Sequence, residues 1–167
     1  MRKTGIIYTL IGLLLSISGC AQKIEQPKIV EEIKTVDEVA FLVAVRFINA
    51  YVANCNKMEQ AVDLRSWVDS SRDVTSSFKN ALHRIVDDAI KHDPELGLES
   101  DPIFDAQDYP EEGFRMIGYD PRTGVVTVQG KKWQDFKLYL RIIKVNGDWL
   151  VDGVGVVNMS LETQVHR

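Results

Sequence analysis

The chain has 167 residues, with 20 Lys and Arg against 24 Asp and Glu, a net charge of −4 at pH 7. That length suits one domain, and 45% hydrophobic with 26% charged residues is an ordinary globular composition, which excludes a disordered or fibrous chain. The acidic balance argues against nucleic-acid or anionic-lipid binding, which calls for basic patches.

Arg2 and Lys3 precede an almost wholly apolar run from Ile6 to Ile17. A charged start, a short apolar stretch and small residues before a cut are the layout of a secretory signal. The run is too short to span a bilayer, which takes ~20 apolar residues, and no later stretch is expected to do so. Its end, Ile17-Ser18-Gly19-Cys20, resembles the lipobox of bacterial lipoproteins. The resemblance implies cleavage before Cys20, a diacylglycerol on the Cys20 thiol and acylation of the new amine. The alternative is an ordinary signal peptide with a chance cysteine. Two or more acyl chains hold a protein stably on a membrane. Residues 1–19 are therefore expected to be the signal, and 20–34 the lipidated cysteine with a flexible tether. In bacteria that sort lipoproteins, Ala21 in place of an Asp favours the outer membrane, at its periplasmic face. Removing residues 1–19 leaves 18 basic and 24 acidic residues, a net of −6. With Cys20 committed to lipid, Cys55 has no partner for an internal disulfide and reads as a small buried hydrophobe.

Residues 35–158 are expected to form one domain. Thr35-Val36-Asp37-Glu38 reads as a capping box that opens a helix to about Asn54. Val36, Val39, Val43, Phe47 and Tyr51 recur at helical spacing, and Phe41, Leu42, Val45, Ile48 and Val52 widen the apolar surface. A helix this apolar is buried on most sides. Lys57 to Val68 reads as a shorter helix with Met58, Ala61, Val62 and Trp67 inward. After a break at 70–74, a third helix starts near Thr75 or Ser76 and stops before Asp93-Pro94, with Phe78, Leu82, Ile85, Ala89 and Ile90 on its apolar face. Asp93 to Glu112 is irregular and holds eight acids and no base.

The period then changes to alternation. Phe114–Tyr119 is a first strand, and Asp120-Pro121-Arg122-Thr123-Gly124 a turn. Val125–Gln129 is a second strand. Trp133–Val145 is a third, with Phe136, Leu138, Leu140 and Ile142 on one face and Asp135, Lys137, Tyr139 and Arg141 on the other. Asn146-Gly147 is a strong hairpin signal, and Asp148–Val157 returns as the fourth strand. Residues 159–167 read as a tail. Helices followed by an antiparallel meander predict an α+β fold, with the N-terminal helices packed on a curved four-stranded sheet.

Phe41 to Val52, Asp101-Pro102 with Ala106-Gln107-Asp108, and the closing Asn146-Gly147-Asp148-Trp149-Leu150-Val151-Asp152 together resemble a family of small bacterial secreted proteins and lipoproteins classed as a domain of unknown function. The resemblance spans roughly Val36 to Val157. It implies a nuclear-transport-factor-two-like (cystatin-like) cone fold and carries no catalytic set. Folds of this kind host enzymes, binders and assembly modules alike.

Several residues are candidates for chemistry. Asp101, Asp105, Gln107 and Asp108 share one loop with Glu99, and clustered carboxylate and amide oxygens are ligands for a hard cation or another polar ligand. The spacing departs from the twelve-residue calcium loop, and the structural alternative is that Asp101 caps a turn before Pro102 while Asp108 binds backbone amides. Asp152 shares the face of Leu150 and Val154 under strict alternation. An acid among apolar residues is a candidate cavity acid or base, or an edge residue bonded to a helix-end amide. Trp149 reads as core or rim. His83, His92 and His166 are scattered, and no zinc motif, Gly-x-Ser-x-Gly elbow or Gly-rich phosphate loop is present. The reading calls for no metal and no cofactor.

The expectation is thus a non-catalytic envelope lipoprotein, tethered to the membrane by Cys20, that binds an envelope protein or a small ligand and not nucleic acid, as a monomer or homodimer. Two alternatives stand beside it. One is an immunity or inhibitor protein against a periplasmic toxin or hydrolase, using Glu99 to Glu112 as its plug. The other is a weak hydrolase or isomerase using Asp152.

Overall fold

The computed structural model describes the backbone of residues 28–160 and the side chains of residues 38–160. The signal, Cys20 and most of the tail lie outside the described residues. The elements in order are α1 (Lys28–Cys55), a 3-10 turn (Met58–Gln60), α2 (Leu64–Ser70), α3 (Ser76–His92), β1 (Phe114–Asp120), β2 (Val125–Gly130), β3 (Lys137–Val145) and β4 (Asp148–Val154). The four strands form one antiparallel sheet in the order β1-β2-β3-β4. The fold is α+β, with helices against a four-stranded meander.

α1 crosses all four strands. It buries Ala40, Val43, Ala44, Phe47, Ile48, Tyr51 and Val52, which join Val126, Val128, Leu138, Leu140, Ile142, Val151 and Val154 of the sheet in one core. By length and apolarity Glu38–Cys55 would also pass for a membrane span, contrary to the expectation that no later stretch does. The buried inner stripe makes it a core helix, but Val39 and Leu42, expected in its apolar surface, are exposed, so the helix is not buried on most sides. α3 adds Phe78, Ala81 and Leu82. Phe78 meets Phe47 edge-on at 5.8 Å.

Five boundaries differ from the sequence-based expectation. β4 ends at Val154 and not at Val157. α1 begins at Lys28 and runs unbroken through Thr35, so Thr35 is not a cap and residues 28–34 are helix, not loose tether. Mid-helix Thr costs only a few tenths of a kcal/mol against its neighbours, and a capping sequence inside a longer helix is simply bypassed. Lys57–Val68 is not one helix. Asn56 and Lys57 donate to the last carbonyls of α1, Met58 takes a positive φ of 53°, and a 3-10 turn and loop precede α2. Met58 and Val62 are exposed, while Trp67 packs on Phe47 and Tyr51. Ile90 on α3 is exposed as well. β3 starts at Lys137: Trp133 lies before it, edge-on to buried Phe136 at 5.0 Å. Met159, placed in the tail by pattern, is buried.

β4 carries a bulge that alternation does not reveal. Ile142 pairs with Val151 and Arg141 with Gly153, which leaves Asp152 as the extra residue. The bulge lets Val151 and Val154 both face the core, although three positions apart they would otherwise point to opposite sides. Asp152 therefore does not share the inward face of Val154. The outer edge of β4 is closed by the chain before α3, where Thr75 N–H donates to Val151 O at 3.0 Å and Val151 N–H to Asp73 O at 2.8 Å.

Candidate functional site

Asp101 faces inward and serves the fold. Its Oδ1 accepts the backbone N–H groups of Ile103 at 2.8 Å and Phe104 at 3.0 Å, and its Oδ2 accepts the Tyr51 hydroxyl. This is a carboxylate closing a turn before Pro102. Burial raises its pKa above the ordinary carboxylate range, against the lowering pull of Tyr51 and the two amides. The same burial, with Asp101 and Cys55 beside it, pushes the Tyr51 phenol far up, and burial pushes the Cys55 thiol up to about 11. Asp105 takes the left-handed conformation with φ 52°. Gln107 Nε2 donates to Glu99 O at 3.3 Å, and Asp108 is exposed. The four residues do not converge, and no three acidic, His or Cys side chains among the described residues gather around a point that would hold a metal. Ile103 and Phe104, inside the acidic segment, are core residues. Its exposed acids are Glu95, Glu99, Asp108, Glu111 and Glu112.

Asp152 is buried and doubly engaged. Thr75 Oγ1 donates to its Oδ1 at 2.7 Å, and Arg141 Nη2 donates to its Oδ2 at 2.7 Å. Thr75 Oγ1 in turn accepts Phe78 N–H at 3.0 Å, the N-cap bond of α3. Asn158 Nδ2 donates to Asp152 O at 3.0 Å. The bulge thus turns the carboxylate away from the core and onto the start of α3. Its oxygens are occupied by the hydroxyl of the α3 N-cap residue and by a guanidinium, neither the helix-end amide of the sequence-based alternative nor the setting of an acid poised in a cavity.

Among the described residues, a half-open groove of about 280 Å³ lies where residues 39–46 of α1, the loop before α3 and the β3–β4 hairpin meet. Val39, Val43, Trp149 and Leu150 supply its apolar lining. Arg46 and Asp73 line it as a locked pair: Arg46 Nε donates to Asp73 Oδ2 at 2.8 Å and Nη2 to Oδ1 at 2.5 Å. That fork is rigid, because Asp73 O also holds β4 through Val151 N–H. Arg72 and Asp148 complete the lining. Lys144 Nζ lies 5.9 Å from the Trp149 ring centre, within cation–π range. Half-exposed Trp and Arg in a concavity are the residue types that dominate binding surfaces.

Each of these residues is placed by local sequence. Asn146 and Gly147, both at positive φ, make the tight hairpin that presents Asp148 and Trp149. The Thr75 cap starts α3 at Ser76, which fixes the preceding Arg72 and Asp73 beside α1. For Trp149, of the two sequence readings, core or rim, the half-buried ring fits the rim. Arg72 carries no periodic or motif signal, since it sits in a connection whose course is set by the packing around it; Asp148, the first residue of β4, follows the hairpin turn, but nothing local marks it as lining a groove.

A second hollow, of about 220 Å³, lies at the other end of α1 among Asn49, Asn56, Glu111, Glu112 and Lys131. Its amides are spent on the fold: Asn49 bonds Phe114, and Asn56 bonds Glu111 O and the Tyr109 hydroxyl.

No protein-family profile matches the chain, and no curated protein is similar to it in sequence. Among solved structures, the chain is similar to a protein of unknown function from Bacteroides thetaiotaomicron, at 18% identity and a TM-score of 0.48, covering 75% of this chain and 95% of that one.

Proposed function

We propose that this protein is a lipid-anchored bacterial envelope protein, held at the periplasmic face of the outer membrane through Cys20, whose single domain is a non-catalytic binding module of the unknown-function family it resembles. The observation that carries the anchor is the run Ile17-Ser18-Gly19-Cys20 behind a short charged-then-apolar start. The binding role is supported by the groove at Trp149, with its apolar lining and its Arg46–Asp73 fork. The placement of Asp152 supports reading the domain as a binder, since its carboxylate is engaged by Thr75 and Arg141.

Metabolic labelling with an alkyne-tagged palmitate, followed by membrane fractionation, tests the anchor. The wild-type chain is expected to take label and pellet with membranes, and Cys20→Ala to lose both. Label that persists in Cys20→Ala sinks the reading. For the binding role, a photo-cross-linking side chain at Val39 is expected to capture an envelope component, with capture lost in Trp149→Ala.

A further inference from the structure

The Trp149 groove holds one cation and one anion that no described neighbour neutralises. Arg72 and Asp148 are both exposed, and neither forms an ion pair or side-chain hydrogen bond with another described residue, the other one included. The remaining charges in the lining, Arg46 and Asp73, cancel each other at 2.5 Å. The other described residues that line the groove are apolar: Val39, Val43, Trp149 and Leu150. Its volume of about 280 Å³ falls at the small end of ligand sites, below what drug-sized molecules fill.

This composition selects by charge. A purely anionic ligand meets Arg72 but also faces Asp73 and Asp148. A purely cationic one meets Asp148 but faces Arg46 and Arg72. A small dipolar ligand with an apolar body satisfies both free charges at once and covers the apolar lining.

We propose that the groove binds an apolar or aromatic α-amino acid in its zwitterionic form. Arg72 takes the carboxylate, Asp148 takes the ammonium, and the side chain lies against Trp149 and Val43. The proposal deepens the binding reading above and rests on that groove being the binding surface.

Calorimetric titration of the full-length protein in detergent micelles tests it with three probes: L-phenylalanine, N-acetyl-L-phenylalanine and L-phenylalaninamide. The free amino acid is expected to bind, and blocking either charge to weaken binding about tenfold, as loss of a charge-assisted hydrogen bond does. Arg72→Gln is expected to weaken the free amino acid about tenfold and to abolish the difference between it and the amide. Asp148→Asn is expected to abolish the difference between it and the acetylated probe. Both side chains are exposed, so thermal melting of the variants should match wild type. No heat from phenylalanine at millimolar concentration overturns the proposal, as does equal binding of all three probes, or Arg72→Gln binding like wild type. Trp149-dependent cross-linking of an envelope component without heat from phenylalanine leaves the binding surface standing and removes only this ligand class. Heat from phenylalanine without palmitate label removes the anchor and leaves the ligand.

Discussion

Two asparagines on α1 explain how an apolar helix organises polar loops. Asn49 Nδ2 donates to Phe114 O at 3.1 Å while its Oδ1 accepts Phe114 N–H at 2.8 Å, so the side-chain amide stands in for a neighbouring strand at the free edge of β1. Asn54 does the same for Val62, at 2.7 and 3.1 Å. Asn54 is 3% exposed, whereas Asn49 is only half-buried. Truncating a buried partner leaves both backbone groups without a bond, which costs about 1–3 kcal/mol per group. Asn49→Ala is therefore expected to destabilise by about 2–4 kcal/mol, since Phe114 is only 1% exposed, and Asn54→Ala by less, because Val62 is 46% exposed and water reaches it more readily; urea unfolding midpoints measure both. Asp101 makes a prediction of opposite character. Burial holds its folded-state pKa above the ordinary carboxylate value, so the folded protein keeps this proton to higher pH than the unfolded chain does. Its contribution to stability is greatest below the unfolded pKa and declines as pH rises through the folded one. The stability of wild type relative to Asp101→Asn, from urea unfolding between pH 4 and pH 7, should fall as pH rises. A difference that grows with pH contradicts the assignment.

At the scale of elements, Thr75 is the joint between α3 and the sheet. One hydroxyl accepts the cap bond from Phe78 N–H and donates to Asp152, while the Thr75 backbone N–H closes the edge of β4 at Val151. Loss of an N-cap costs about 0.5–2 kcal/mol, and here Asp152 also loses a donor inside the domain. Thr75→Ala is expected to cost about 2–3 kcal/mol, and Thr75→Ser to recover most of it because it keeps the oxygen. Equal losses in the two variants would show that the methyl group and not the hydroxyl matters. The elements also mark where a sequence pattern is informative. The alternation in β2 and β3 survives folding intact, since both strands are central and one face of each is buried by α1. It fails in β4, where a bulge inserts Asp152, and at Thr35, where a capping pattern lies inside a longer helix. Both failures have one cause. Pattern reports local preference, and neighbours supply the bonds that override it: Thr75 and Arg141 for the bulge, the continuing helix for Thr35.

For the whole molecule, the proposed anchor and the domain make a joint prediction about thiols. Cys55 is half-buried beside Tyr51 and Asp101, and its pKa is pushed up to about 11, so little thiolate is present at neutral pH. Native protein is expected to react slowly with a thiol reagent. In denaturant, a chain anchored as proposed should present one reactive thiol, because the proposed anchor makes Cys20 a thioether. Two thiols in the membrane-extracted protein would contradict the anchor. The acidic segment bears on the whole in another way. Read as a charged surface loop, it is in fact pinned through Asp101, and it delivers Ile103 and Phe104 to the core, with Phe104 against Tyr51 and Tyr109. Eight acids masked two of the most deeply buried side chains in the domain, because composition averages over a stretch in which single residues point opposite ways.

The sequence by itself determined the α+β class, part of the core face of α1 (Val43, Phe47, Ile48, Tyr51 and Val52), the start of α3, the two central strands and the Asn146-Gly147 hairpin. Each rests on local periodicity or on a backbone conformation that few residues adopt. It also carries the whole case for the lipid on Cys20, which is a matter of linear sequence. Only the tertiary structure decided that Asp101 and Asp152 are spent on turns and helix ends, and that Arg72, Asp148 and Trp149 line one groove. Those side chains come from segments far apart in the chain, and which of them meet depends on how α1 lies across the sheet.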